Sequence, residues 1–274
     1  MIVFSLLLLL LLLLLGSTLA VIEDISQIPI EDISQIPIVD ISPLLIYEKQ
    51  QSTANIDLLE RRSYAIGQIH QALERYGLFY ISNHSLSDSS ASLLEQMEIF
   101  FAEPQTIKYS VKRNASNSRG FADDELTQQK RDLKEIFDVG QFPLWTNLST
   151  RALENQRLDG VNLWPEEESS IPLSAFRTVV ESHYNSCLYV ARILVTAITE
   201  SLTAGNARKI AYINEASHMH SSFLRLNHYS PALRDAIEVG QALGASGDVG
   251  FLGVSPHTDA GHYTHYIHYT HCIH

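Results

Sequence analysis

Apolar residues along this chain follow recognisable spacings, and each spacing predicts a different element. Within 63–76, Ile66, Ile69, Leu73 and Tyr76 recur every three or four positions, the period of one helix face. Gly77 supplies the stop, because glycine readily adopts the left-handed turn that ends a helix. The unbroken run Leu78-Phe79-Tyr80-Ile81 predicts a buried strand ended by Ser82-Asn83-His84. Asp88 opens a second helix that runs to Phe101, before Pro104. Residues 106–135 are polar and read as loop, with Gly120 as a breaker, and Glu135–Val139 predicts a further strand. Ser174 begins the longest helix, with Phe176, Val180, Tyr184, Leu188, Ala191 and Val195 on one side and Gly205 near its end. Residues 222–229 alternate as a half-buried strand does, and Val249–Val254 resumes β character before Ser255-Pro256-His257.

Both ends depart from this grammar. Residues 2–15 are an apolar, leucine-dominated run followed by Gly16-Ser17-Thr18-Leu19-Ala20. The run suits the core of a secretory signal, with Thr18 and Ala20 small enough for cleavage, though no basic residues precede it. At this length it falls short of the ~20 apolar residues of a membrane span, so no stable span is expected. Its other reading is a leucine tract on a cytoplasmic protein. Residues 23–30 recur verbatim at 31–38, too short a unit for a solenoid. The copy used as structure is expected to be the last, giving a short strand at 36–41 with Pro37 at its edge. After Gly261, His262, His265, His268, His271 and His274 recur at every third position, a period that matches no helix or strand face.

Composition narrows the function classes. At 45% hydrophobic and 18% charged residues, the chain has the makings of a folded protein. A formal net charge of -12 with no Lys/Arg block argues against nucleic acid as a partner. The cysteines are Cys187 and Cys272 alone, too few for a disulfide framework. Asn83, Asn114 and Asn147 are glycan acceptors if the chain is secreted, although Asn83 follows a strand directly. The expected location is the secretory pathway if the leucine run is a signal, and the cytoplasm otherwise.

Chemistry concentrates at His257-Thr258-Asp259. On extended backbone, residues two apart point the same way, so an imidazole and a carboxylate converge on one cation. Two histidines and a carboxylate on one face of Fe(II) leave positions open for a co-substrate and O2. The tripeptide alone is weak, since a surface histidine beside an aspartate is an ordinary occurrence. Other segments change its weight. In order they are Ile36–Asp40, Gly77–His84, Arg119-Gly120-Phe121, Lys134–Gly140, Asn162-Leu163-Trp164-Pro165, Arg225–Tyr229 and Gly253–Gly261.

In that order the segments resemble the plant-type family of iron and 2-oxoglutarate dioxygenases, which includes isopenicillin N synthase and the flavonoid and gibberellin oxidases. The resemblance covers about Ile36 to Gly261. It implies an oxidoreductase acting on a small organic substrate with O2, using Fe(II), 2-oxoglutarate as co-substrate and optionally ascorbate. His257 and Asp259 match the first two iron ligands. Asn227 and Tyr229 match the polar pair that helps hold 2-oxoglutarate; an amide and a phenol at i and i+2 can both donate to a carboxylate. Their plainer reading is a strand-end hydrogen-bonding pair. Arg119 and Trp164 match structural or substrate-proximal positions; their plainer readings are a solvated loop charge for Arg119 and a packing plug for Trp164.

The family pattern also calls for a second histidine tens of residues beyond His-x-Asp, and then an Arg-x-Ser pair for the distal carboxylate of 2-oxoglutarate. Neither has its place before His274. The expected fold class is α+β: an N-terminal helical region followed by the beginning of a double-stranded β-helix (jelly roll), most of which is missing. The expected divisions are 1–20 signal or leucine extension, 21–35 duplicated segment, 36–165 dioxygenase N-terminal region, 166–261 start of the dioxygenase domain, and 262–274 histidine tail. A C-terminally truncated chain of this kind is expected to be inactive. Two alternatives are a non-catalytic remnant that keeps its N-terminal folding or interaction unit, and a metal-binding protein that uses the histidine tail.

Overall fold

The computed structural model describes residues 35–50, 55–127, 130–131, 134–141, 160–165, 174–217 and 222–229. These divide into two compact units, 35–85 with 187–217, and 86–186 with 222–229. The leucine run, the first copy of the repeat, Asn147, Val249–Val254, His257, Asp259 and the histidine tail lie outside the described residues.

The first unit pairs β1 (Ile38–Asp40) in parallel with β2 (Tyr80–Ser82), Val39 lying opposite Ile81. Parallel strands need a crossover, which α1 (Ser42–Gln50) and α2 (Ile56–Tyr76) supply. The α2 helix starts earlier than the apolar period announces, because Asn55 caps it: its Oδ1 accepts the Leu58 amide at 3.1 Å. Gly77 ends it at φ 68, with its N–H donating to the Leu73 carbonyl at 3.1 Å, as its position predicts. Ala65, Ile66, Ile69, Ala72 and Leu73 form the buried stripe. The run 78–81 behaves otherwise than expected. Only Phe79 is fully buried, and the paired strand is shifted to 80–82. Asn83 is exposed, in left-handed backbone at φ 55.

The longest helix, α5 (Ser174–Leu202), lies in the second unit through Ser186 and in the first from Cys187 onward. In the first unit its Val190, Ile193, Leu194, Ala197 and Ile198 are buried. Near its end Glu200 receives the Arg62 guanidinium through both oxygens, with Nη1 to Oε1 at 2.9 Å, and Arg62 lies 4.5 Å from the centre of the Tyr47 ring. A further helix, α6 (Ala207–Ser217), follows; the sequence pattern does not announce it. Burial pushes the Cys187 thiol up to about 12, so almost no thiolate exists near neutrality. Alkylation of Cys187 in the native chain at pH 8 is therefore expected to be at least tenfold slower than in denaturant, a difference that timed mass spectrometry reads.

The second unit holds α3 (Ser87–Ala102), α4 (Gln105–Ser110) and a three-stranded antiparallel sheet. The sheet runs in the order β3 (Gly120–Ala122), β6 (Glu135–Gly140), β7 (Phe223–His228). A separate hairpin joins β4 (Leu126–Thr127) to β5 (Lys130–Arg131). The region expected to be loop thus contains α4 and three short strands, each too brief to show a period. Phe100 centres the core, fully buried, with Phe176 stacked on it at 4.6 Å and Phe137 edge-on at 4.9 Å. Leu93, Phe101, Val111, Phe121, Val139, Val180 and Leu226 complete the cluster, and Trp164 packs 5.8 Å from Phe137. Trp164 is the packing plug its sequence setting suggests.

His183 of α5 is 1% exposed, and its Nδ1 lies 3.1 Å from Ser89 Oγ on α3. Burial holds its pKa below the ordinary 6.5, against the opposing effect of hydrogen bonding to the Ser89 backbone. Below 6.5 the unfolded chain takes up a proton that the folded chain resists, so stability is full above that pH and falls as pH drops toward the folded value. In urea titrations between pH 7.5 and 5.5, His183→Gln is expected to remove part of this slope, at most about 1.4 kcal/mol per pH unit.

Candidate functional site

Strand register divides the three-stranded sheet into two unlike faces. Phe121 pairs with Phe137, Phe137 with Leu226, and Val139 with Leu224, and these side chains meet the phenylalanine core. Alternation puts Gly120, Ala122, Ile136, Asp138, Gly140, Phe223, Arg225 and Asn227 on the opposite face. Tyr229 continues that series one residue beyond the strand.

A charged network lies on the second face. Asp138 and Arg225 are directly opposite in the register, and Asp138 is 3% exposed. Arg225 donates Nε to Oδ1 at 2.8 Å and Nη2 to Oδ2 at 2.7 Å, a two-pronged ion pair. Its remaining nitrogen, Nη1, reaches Glu125 Oε2 at 3.1 Å. Glu125 also receives Lys134 Nζ at 3.1 Å and Arg113 Nη1 at 3.0 Å. Burial acts to raise the Glu125 carboxyl, but Arg225, Lys134 and Arg113 outweigh it and hold it below the ordinary range. At Asp138 burial is stronger than the pull of Arg225, so this carboxyl sits above the ordinary range.

Arg119 corrects an expectation. Read as a solvated loop charge, it is only 3% exposed. Its guanidinium fills the space over Gly140, where an added Cβ would come within 2.5 Å of Arg119 Nε, and it lies 5.4 Å from the centre of the Phe223 ring. Arg225 approaches the same ring at 5.6 Å. Loss of solvent lowers the Arg119 pKa, with Asp138 opposing that loss. A glycine on the neighbouring strand makes room for the buried arginine, and nothing in the Arg-Gly-Phe segment itself signals that.

Two asparagines draw the Asn-Leu-Trp-Pro segment onto the sheet. The Asn162 side chain pairs with Gly140, its Oδ1 accepting the backbone N–H at 2.8 Å and its Nδ2 donating to the carbonyl at 3.2 Å. Asn117 Nδ2 donates to the Val161 carbonyl at 2.9 Å, and its Oδ1 accepts the Arg119 amide at 3.0 Å. Gly120 adopts φ 99 beside the Val111 carbonyl, where an added Cβ would stand 2.2 Å away. Toward the core face, Glu135 takes Lys108 Nζ at 2.7 Å and lies 3.1 Å from His228 Nδ1, and His228 stacks on Phe101.

Of the residues singled out from sequence, Asn227 and Tyr229 are exposed at the end of β7, Tyr229 at 47%. His257 and Asp259 lie outside the described residues. Among the described residues no group of three or more His, Cys, Asp or Glu side chains is placed to hold a metal ion. No described helix is long and apolar enough to cross a membrane. Sequence reasoning misses Glu125, the hub of the network, because it sits in a polar stretch that resembles any loop. Asp138 carries a signal: one carboxylate inside the strand Glu-Ile-Phe-Asp-Val-Gly needs a buried cation.

The sequence model of a family described as "non-haem dioxygenase in morphine synthesis N-terminal" matches residues 36–167. No curated protein matches the chain. Among solved structures, a full-length Neurospora crassa protein in complex with alpha-KG aligns with TM-score 0.50 and 18% identity, covering 71% of this chain and 54% of that one. The same protein with alpha-KG and 5-formyluracil aligns with TM-score 0.51 and 19% identity, over 75% of this chain and 56% of that one. This chain thus spans little more than half the length of that protein, and shares with it a mixed helix and strand fold. The order of the motifs, the sheet that gathers four of them, and the match over 36–167 show that this chain resembles the family of Fe(II)/2-oxoglutarate-dependent dioxygenases.

Proposed function

We propose that this protein is an oxidoreductase of the Fe(II)/2-oxoglutarate-dependent type, acting on a small organic substrate with O2. The observation that carries the reading is the gathering of Arg119–Phe121, Lys134–Gly140, Asn162–Trp164 and Arg225–Tyr229 in one unit around one sheet. These segments are far apart in sequence, and a chance set of motifs has no reason to converge.

In this reading His257 and Asp259 would hold the iron, and β7 leads toward them along the sequence. Asn227 and Tyr229 would receive 2-oxoglutarate. Their donor chemistry fits, since an amide and a phenol offer N–H and O–H to carboxylate oxygens, and both side chains are exposed. Iron, when bound, would supply oxygen activation coupled to decarboxylation of 2-oxoglutarate to succinate and CO2, with ascorbate as an optional reductant. The residues of the chain orient the co-substrate and keep water from the reacting centre. Within the division at 166–261, β7 would begin a jelly roll, pairing with β6 of the N-terminal region at 36–165. Residues 1–20 would direct the chain to the secretory pathway if they act as a signal.

Iron-dependent succinate formation is one test of this reading. Binding is the sharper test. Calorimetric titration of 2-oxoglutarate in the presence of Mn(II) is expected to show metal-dependent binding that Asn227→Ala weakens about tenfold. Equal binding with and without Mn(II), or none in either case, contradicts the assignment.

A further inference from the structure

Arg225 lies on the same sheet face as Asn227 and two residues before it, and each of its guanidinium nitrogens meets a carboxylate of the chain. Nε and Nη2 are taken by Asp138 and Nη1 by Glu125. A side chain held at all three nitrogens has its orientation fixed by the protein. Asp138 is 3% exposed, a costly place for a carboxylate. An apolar pair of similar volume would serve the stability of the sheet as well, so sheet stability alone does not account for the ion pair. What the pair adds is direction. It locks one rung of β6 to β7 at a known register, Asp138 against Arg225. Asn227 follows two residues on, and pairing ends at His228 opposite Glu135, so Tyr229 stands just beyond the last rung. The placement of both donors therefore depends on how firmly β7 is held immediately before them.

We propose that Asp138 and Glu125, acting through Arg225, are positioning residues for the Asn227 and Tyr229 pair. This rests on the assignment of that pair to 2-oxoglutarate. The network aligns the end of β7 so that the amide and the phenol meet the co-substrate together, while Arg225 itself makes no contact with it.

The test uses the full chain with Mn(II), reading three quantities: 2-oxoglutarate affinity, Mn(II) affinity, and hydrogen exchange of the backbone at 222–229. Asp138→Asn keeps the shape but gives up the ion pair. It is expected to weaken 2-oxoglutarate binding about tenfold, leave Mn(II) affinity unchanged, and speed exchange at 222–229. Arg225→Lys, which keeps the charge but not the fork, is expected to do the same. Glu125→Gln is expected to give a milder version of both effects, and it keeps the test open should Asp138→Asn fail to fold. Faster exchange with unaltered affinity means the network only stabilises the sheet, and overturns the proposal. So does an affinity loss in Arg225→Lys that Asp138→Asn does not share, which would make Arg225 a direct ligand. Absence of 2-oxoglutarate binding by the unsubstituted chain is seen before any variant is made; it overturns the underlying assignment, and the positioning role with it.

Discussion

Replacement of Phe100 by alanine is expected to cost about 3–5 kcal/mol and to be the most damaging single truncation in the second unit. Phe100 is fully buried and stacks on Phe176 at 4.6 Å, with Phe137 edge-on at 4.9 Å. Removing it empties the space between α3, β6 and α5 all at once, and the rigid rings around it cannot close a hole of that shape. Urea unfolding is the measurement, with a fall in midpoint expected at an unchanged slope. Phe100→Leu, which keeps most of the volume, should recover well over half of the loss. A cost below about 1 kcal/mol for the alanine variant would show that the cluster is not the core of this unit.

The second large effect is expected at Asp138. Substitution by alanine leaves Arg225 half-buried with Glu125 as its remaining partner, and should cost about 3 kcal/mol. That is the low end for a broken buried pair, because the Arg225 side chain is 31% exposed and retains some hydration. The control is the double replacement Asp138→Leu with Arg225→Met. If the buried charge rather than the lost contact sets the cost, the double variant should unfold closer to the unsubstituted chain than Asp138→Ala does. A double variant as unstable as the sum of its parts would place the cost in packing instead.

Much of the architecture is legible in the sequence where one physical signal dominates. Helix α2 follows from its apolar stripe and ends at Gly77 because only a left-handed residue fits there. Strand β7 follows from alternation, with Leu226 inward and Asn227 outward. The stripe places the start of α2 too late, because the cap, Asn55, lies well before its first residue. The short strands at 120–122, 126–127 and 130–131 escape a periodicity argument altogether. Pairing with a distant partner sets such a strand, as when Phe121 finds Phe137. The candidate site divides along the same line. Asn227 and Tyr229 stand out in the sequence because they lie two apart at the end of one alternating segment, Tyr229 one residue past the strand. The Arg119, Asp138, Glu125 and Arg225 cluster is not, because it assembles across strands and depends on the bare backbone of Gly140 to admit a guanidinium.

The central claim is that His257 and Asp259 hold iron beside a co-substrate received by Asn227 and Tyr229. The most direct measurement is visible absorption of the Fe(II)-loaded chain, kept free of oxygen, as 2-oxoglutarate is added. A 2-oxo acid that chelates ferrous iron produces a charge-transfer band, so the account predicts a band that saturates with 2-oxoglutarate. It should vanish in His257→Ala and Asp259→Ala and survive removal of residues 262–274. A band that persists in both substitutions but disappears with the histidine tail would contradict the account, and would mark the tail as the site that gives rise to the band.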